Sequence, residues 1–255
     1  MASRAERPGD LVLKGAKNFI NAHIHCYKTI HRIRKEKNWP GKTMVGAAHH
    51  LRIFQGDKGS LAHLSAKIHK QIFQGIFLEG MTKGHLVFPL GSGHPWGKGT
   101  FCDFIGVNYY SRDMIRGKLS ALPVLGLSYT HGEFPKNDLG WEIHPEGLGV
   151  LCRQLWKKYK LPLWITENGT ADSSDRFRSQ FLVDHLNVIA QIRDEGVPVE
   201  RYYHWTLLDN FEWAEGESAR FGLVHTDFET QTRTIRPSGH LFAQIAKTRK
   251  LKVDD

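Results

Sequence analysis

The recurring order of short apolar runs and helical stretches constrains this chain more than any other feature. Apolar runs fall at 44–48, 104–110, 163–166 and 199–206, and each is followed, after a loop, by further structure. Between them, apolar residues return every three or four positions, the spacing of one helix face. Leu13, Ala16, Ile20, Ile24, Tyr27, Ile30 and Ile33 mark a leading helix, and Leu61, Leu64, Ile68, Ile72 and Ile76 a second. Leu148, Leu151 and Leu155 lie on one face of a third helix over 145–159. Phe177, Phe181, His185, Val188 and Ile192 mark a fourth, and a last helix spans 238–247. Residues 115–140 read as mostly irregular, and 221–234 as a hairpin. Strands alternating with helices build a parallel sheet. The expected fold class is α/β, of the (β/α)8 TIM-barrel type, with about four βα units, half of a closed barrel.

The division that follows is a flexible N-terminus at 1–10, a partial barrel domain at 11–247, and a flexible C-terminus at 248–255. No composition shift splits the chain. Of its 255 residues, 40% are hydrophobic and 24% charged, as in soluble globular proteins. No run of about 18 apolar residues exists, so no membrane partner is expected. The first residues lack the apolar core of a secretory signal, and a cytoplasmic location is expected. Cys26, Cys102 and Cys152 are expected to be reduced and mostly buried thiols. The net charge of +9 comes with no nucleic-acid-binding signature, so it reads as a solvated helix face. His23/His25 and His49/His50 are poorly spaced for one ion, so no metal and no cofactor is expected. The loop at 91–99 lacks the spacing of a phosphate cradle.

In barrels of this type, catalytic groups sit at the C-terminal ends of strands. There the third run ends in Ile165-Thr166-Glu167-Asn168-Gly169, which reads equally as a catalytic carboxylate at the barrel mouth or an exposed acidic loop. Gly169 is expected to permit a sharp turn. Beyond the fourth run come Trp205, Glu212 and Trp213. Aromatic rings with a carboxylate suit a sugar, and Trp205 alone suits core packing equally. Leu208 and Phe211 read as core. The second run ends in Asn108-Tyr109-Tyr110, where a tyrosine hydroxyl can hold a carboxylate ionised.

Together these segments resemble glycoside hydrolase family 1. The nucleophile motif is similar to Ile165–Gly169, and the sugar-recognition segment to Trp205 with the run from Leu207 through Trp213. Further similarity lies in 104–110, in 140–148, and in Arg220 through Val224 followed by Asp227 and Phe228. The resemblance runs from about residue 11 to 247. It implies a retaining β-glycosidase in which Glu167 is the nucleophile, oriented by Tyr110. It implies sugar contacts from Asn108, Trp205, Glu212 and Trp213, and a β-linked glycoside as substrate. Thr170 departs from the apolar residue more usual there. Acids at 215 and 217 disfavour a phosphorylated sugar.

The same resemblance implies elements this sequence does not contain. Asn-Glu-Pro, which would supply the acid/base, occurs nowhere in it. Retaining hydrolysis uses two carboxyl groups about 5–5.5 Å apart, so the chain alone is expected to be impaired. Open sheet edges then imply self-association or a missing N-terminal half-barrel as partner. The alternatives are an inactive carbohydrate-binding or interaction protein, or a truncated gene product.

Overall fold

The computed structural model describes residues 8–121 and 124–251. Helix α1 (Pro8–Glu36) leads into strand β1 (Gly46–Gly56). Helix α2 (Ser60–Lys70), a π-helical turn (Gln71–Gly75) and helix α3 (Ile76–Lys83) follow. Next come β2 (Phe104–Gly117), β3 (Gly126–Tyr129), α4 (Pro145–Tyr159), β4 (Leu163–Asn168), α5 (Arg178–Asp194) and β5 (Val199–His204). A small ribbon of β6 (Val224–Thr226) and β7 (Arg233–Ile235) precedes α6 (Pro237–Thr248).

The main sheet runs β1-β2-β4-β5, every pair parallel. Each strand lies beside its predecessor, and the order never reverses. That is the winding of a barrel, not of a doubly wound sheet with its central switch point. The four strands form an open arc in which β1 and β5 are the terminal members of the sheet path. This is the partial α/β barrel that the residue pattern indicated.

The core lies on the outer side of the arc. Leu51, Ile105, Val107, Tyr109, Leu163, Ile165 and Val199 face outward at alternate positions against Leu148, Leu151 and Leu155 of α4 and Ile189 and Ile192 of α5. A second cluster joins Ala16, Ile20 and Ile24 of α1 to Ile76, Leu90 and Phe101. Gly147 stands in the first turn of α4, where a methyl group would overlap the Tyr109 hydroxyl. That hydroxyl instead donates to the His144 carbonyl at 2.7 Å.

Several expectations need correction. β1 starts two residues later than the apolar run and continues to Gly56, because backbone pairing with β2 extends past the apolar stretch. β2 runs to Gly117 and pairs antiparallel with β3, a short ladder inside the stretch 115–140, which is otherwise mostly irregular as expected. Ladder hydrogen bonds need no apolar pattern, and these residues carry little. In the second helix Ala62, Ser65 and Ala66 are buried while Leu64 is half-exposed, because close approach to the sheet selects small side chains. Ile30 is exposed, since the last turns of α1 extend past the cluster below them. Cys102 and Cys152 are buried and Cys26 is exposed; all three are free. Helix α1 begins within the stretch assigned to a flexible N-terminus, and α6 ends at the first residue assigned to the C-terminal one. Residues 1–7 and 252–255 lie outside the described residues. No described helix is long and apolar enough to cross a membrane.

Candidate active site

At the C-terminal ends of the strands, a bulge decides where the carboxylate points. Val107 pairs with Ile165, but Asn108 pairs with Glu167, so Thr166 is an extra residue in β4. Strict alternation would send Ile165 and Glu167 to the same face. The inserted residue breaks that rule. Ile165 packs in the outer core, whereas Thr166 and Glu167 both meet the inner face of β2. The Thr166 hydroxyl donates to Asn108 Oδ1 at 2.5 Å, and the Tyr110 hydroxyl donates to Glu167 Oε2 at 2.6 Å.

Asn168 fastens this tip. It is fully buried, its amide donates to the Tyr109 carbonyl at 2.8 Å, and it accepts from the Tyr202 hydroxyl at 3.0 Å. One side chain thereby joins β2, β4 and β5. The Trp205 backbone N–H donates to the Asn168 carbonyl at 3.0 Å, which carries the path of β5 past the end of β4. Gly169 is needed for that approach. A side chain there would overlap the Trp205 carbonyl, and the residue is not among those with positive φ. The expected sharp turn is therefore corrected to a close backbone contact.

Beyond β5, the chain makes a loop tied at both ends. Leu223 N–H donates to the Thr206 carbonyl and Val224 N–H to that of Leu207, both at 2.9 Å. Asp209 lies inside the loop. It accepts from Gly222 N–H at 2.8 Å, Thr226 N–H at 3.3 Å and Arg236 Nη1 at 3.0 Å. Leu208 and Phe211 are 38% and 69% exposed, not core, because the loop turns its carboxylate inward and its apolar residues out. Glu212 accepts from the Trp205 indole N–H at 3.3 Å. Trp205, like Tyr110 and Trp141, packs against the buried cluster of Ala171, Ala219 and Phe221.

Glu167, Tyr110, Asn108, Trp205 and Glu212 are thus brought together at the C-terminal ends of the strands. Trp213 stands apart, 82% exposed at the start of a 3-10 turn. The residues that pattern reading missed are Asn168, Thr166 and Asp209. They do their work through backbone carbonyls, a bulge and a distant arginine, none of which leaves a local sequence signal.

Burial raises the Glu167 carboxyl above its ordinary range. The Tyr110 hydrogen bond opposes that shift, the Glu212 charge adds to it, and the Asn108 amide opposes it again. Burial, together with the hydrogen bond to Glu167, raises the Tyr110 phenol, which remains a donor at neutral pH. A half-buried carboxylate held from one side by a phenol can attack an electrophilic carbon from the other. No group of three potential metal ligands occurs among the described residues.

Comparison with known proteins gives a consistent family. The model of glycosyl hydrolase family 1 matches residues 98–251. A β-galactosidase from Saccharolobus solfataricus is 39% identical over 153 residues, which are 56% of this chain and 31% of that protein. β-Glucosidase A from Thermotoga maritima is 37% identical over 160 residues, 59% of this chain and 35% of that one. A Pyrococcus woesei β-galactosidase is 30% identical over 269 residues, 93% of this chain and 52% of that one. The chain therefore spans about a third to a half of the length of these relatives. Among solved structures, the family 1 β-glucosidase from Thermotoga maritima superposes with a TM-score of 0.80 at 26% identity, covering 94% of this chain and 57% of the other. A β-glycosidase from Thermosphaera aggregans gives 0.78 at 32% identity, covering 92% and 48%. With more than half of its residues matched by the family model, and with its fold shared along nearly its full length, the chain belongs to glycosyl hydrolase family 1.

Proposed function

We propose that this chain carries the nucleophile and the sugar-binding side of a retaining β-glycosidase acting on β-linked glucosides or galactosides. The observation that supports the reading best is the Tyr110 hydroxyl fixed 2.6 Å from Glu167 Oε2, beside Glu212 and Trp205. In this reading one Glu167 oxygen attacks the anomeric carbon as the bond to the leaving oxygen breaks. Tyr110 keeps the carboxylate ionised and aimed. Water then attacks the same carbon from the opposite face, losing its proton to the acid/base carboxylate or, without it, to solvent, as the glycosyl–Glu167 bond breaks and the carboxylate is restored. Two inversions give net retention. Glu212 and Trp205 hold the hydroxyls and the C–H face of the sugar, Asn108 supports the site from β2, and Trp213 donates from the rim.

The acid/base carboxylate comes from outside the described residues. Without it the leaving oxygen departs unprotonated, at a loss commonly worth about 10²–10⁴ in rate. A half-barrel with a parallel strand is the natural complement to the β1 and β5 edges, with a second copy of the chain as the competing occupant. Sedimentation together with thermal unfolding tests this; a monomer with one sharp transition counts against both.

Hydrolysis of an aryl β-glucoside with a good leaving group tests the reading directly. Slow release of the phenol is expected from the chain and none from Glu167→Gln. Added azide should speed turnover by resolving the glycosyl intermediate and give a β-glycosyl azide. Equal release by both proteins would overturn the assignment of Glu167.

A further inference from the structure

A recess opens among the helices on the outer side of the sheet, where α2, the π-helical turn and α3 pass α4. We infer that it binds a small amphipathic anion, a carboxylate or phosphate monoester carried on a short apolar body. The inference is independent of the reading of Glu167.

Size and lining set the apolar part. The cavity measures about 220 Å³. Its apolar side is Leu78 of α3 with Leu151 and Leu155 of α4, all members of the outer core. An apolar cavity of about 150 Å³ is enough for benzene, so this one takes a ring or a chain of about eight carbons. It falls short of the roughly 300 Å³ at which sites for larger ligands begin.

The charges around it are left without a counter-ion. Lys67 and Lys70 lie three residues apart on one face of α2, and Lys158 reaches the recess from the last turn of α4. No acid is among the described residues that line it. Lys158 pairs with Glu79, which also accepts from the Tyr159 hydroxyl at 2.7 Å. Lys70 donates to a neutral acceptor, the Gln154 amide oxygen, at 2.6 Å. Among the described residues no carboxylate pairs with Lys67 or Lys70. Loss of water, and next the charge of Lys158, lower the Lys70 ammonium below its ordinary range. An anion placed between the two amines relieves that repulsion.

A helical irregularity supports the site independently. The π-helical turn contributes Gln71, Gln74 and Gly75 to the lining, and such turns are frequent at functional sites. The Gln71 amide donates to the Phe88 carbonyl at 3.1 Å, and its oxygen lies where a side chain at Gly75 would stand. Buried Gln74 accepts from the Arg52 backbone N–H at 2.9 Å, which ties the turn to β1. The wall is therefore fixed before a ligand arrives, and little ordering remains to oppose binding.

Charge and shape together select the ligand. A neutral apolar molecule leaves the amines unpaired, and a bare inorganic anion leaves the leucines uncovered. An extended polyanion such as nucleic acid suits a stripe of cations, whereas these surround a recess.

The test is an NMR titration of the chain with octanoate, octyl phosphate, octylammonium, acetate and inorganic phosphate, each below the concentration at which micelles form. At least one octyl anion should bind saturably and shift the amides of Leu78, Leu151 and Leu155. Acetate, inorganic phosphate and octylammonium should not. Which octyl anion binds tells a carboxylate from a phosphate head. Lys67→Gln/Lys70→Gln, at exposed positions, should weaken binding about ten-fold or more, the worth of hydrogen bonds to charged groups. Gln154→Glu keeps the shape of its side chain and gives Lys70 an internal carboxylate. It should weaken binding in the same sense, and it decides the matter should the double variant not fold. Saturable binding by neither octyl anion, equal binding of octylammonium, or an affinity that survives the variants overturns the inference.

Discussion

Glu167 and Asp209 lie on either side of Trp205 in sequence, and both lose water to the fold, yet their acidities move apart. Burial raises Glu167, and the donors that reach it, chiefly the Tyr110 hydroxyl, do not cancel the effect. Burial would raise Asp209 as well, but hydrogen bonds from Arg236, Gly222 and Thr226 and the Arg236 charge outweigh it and hold the carboxyl low. The difference lies in how many donors surround each acid. A carboxylate saturated with donors is an anchor; one with oxygen lone pairs left open is available for bond formation.

The sharpest way to break this contrast is turnover. Glu167→Gln should lower release of an activated aryl glycoside by roughly 10⁴-fold or more, as loss of a nucleophile does elsewhere. Single-turnover kinetics of the purified chain would show it. Asp209→Ala acts on the fold instead. It strands the Arg236 guanidinium, which is 7% exposed, and should cost about 3–5 kcal/mol in urea unfolding. An Asp209→Ala protein as stable as its parent would sink the anchor role.

Tyr110→Phe sharpens the comparison by removing one of the donors to Glu167. Activity should fall by about 10- to 100-fold, the worth of one charge-assisted hydrogen bond. The acidic limb of kcat/KM should move to higher pH, because Glu167 then holds its proton more tightly. A purely structural role would lower the plateau and leave the limb in place.

The smallest effect concerns stability and pH, and its sign differs between the two acids. Glu167 in the fold keeps its proton where the unfolded chain has released it. Stability therefore falls as pH rises from the ordinary carboxylate range through the raised value. Glu167→Gln removes that loss and should stabilise the neutral protein by about 1 kcal/mol, the scale of an ordinary substitution. The gain should vanish at acidic pH, as followed by thermal melts across pH. Asp209 behaves oppositely: its contribution is present above the ordinary carboxylate value and is lost as pH falls through the depressed one.

Helix and strand order was legible because burial on one face imposes a period, and the outer core follows that period through Leu148, Leu151 and Leu155. The meeting of Glu167 with Tyr110, and of Glu212 with Trp205, was legible from their places at the ends of the apolar runs. What stayed hidden depends on partners distant in sequence. The bulge at Thr166 is visible only against β2, and the inward turn of Asp209 only against Arg236. Leu208 and Phe211 look like core in a list of residues, and only the loop's path brings them to the surface.

The unreversed strand order also bears on how the molecule assembles. Every parallel strand finds its mate in the next βα unit along the chain. Little loop-closure entropy separates partners, so structure can grow unit by unit as the polypeptide emerges, with no wait for a remote segment. By the same logic melting should begin at the outer members, and the amides of β2 and β4, flanked on both sides, should be the last to exchange with deuterium.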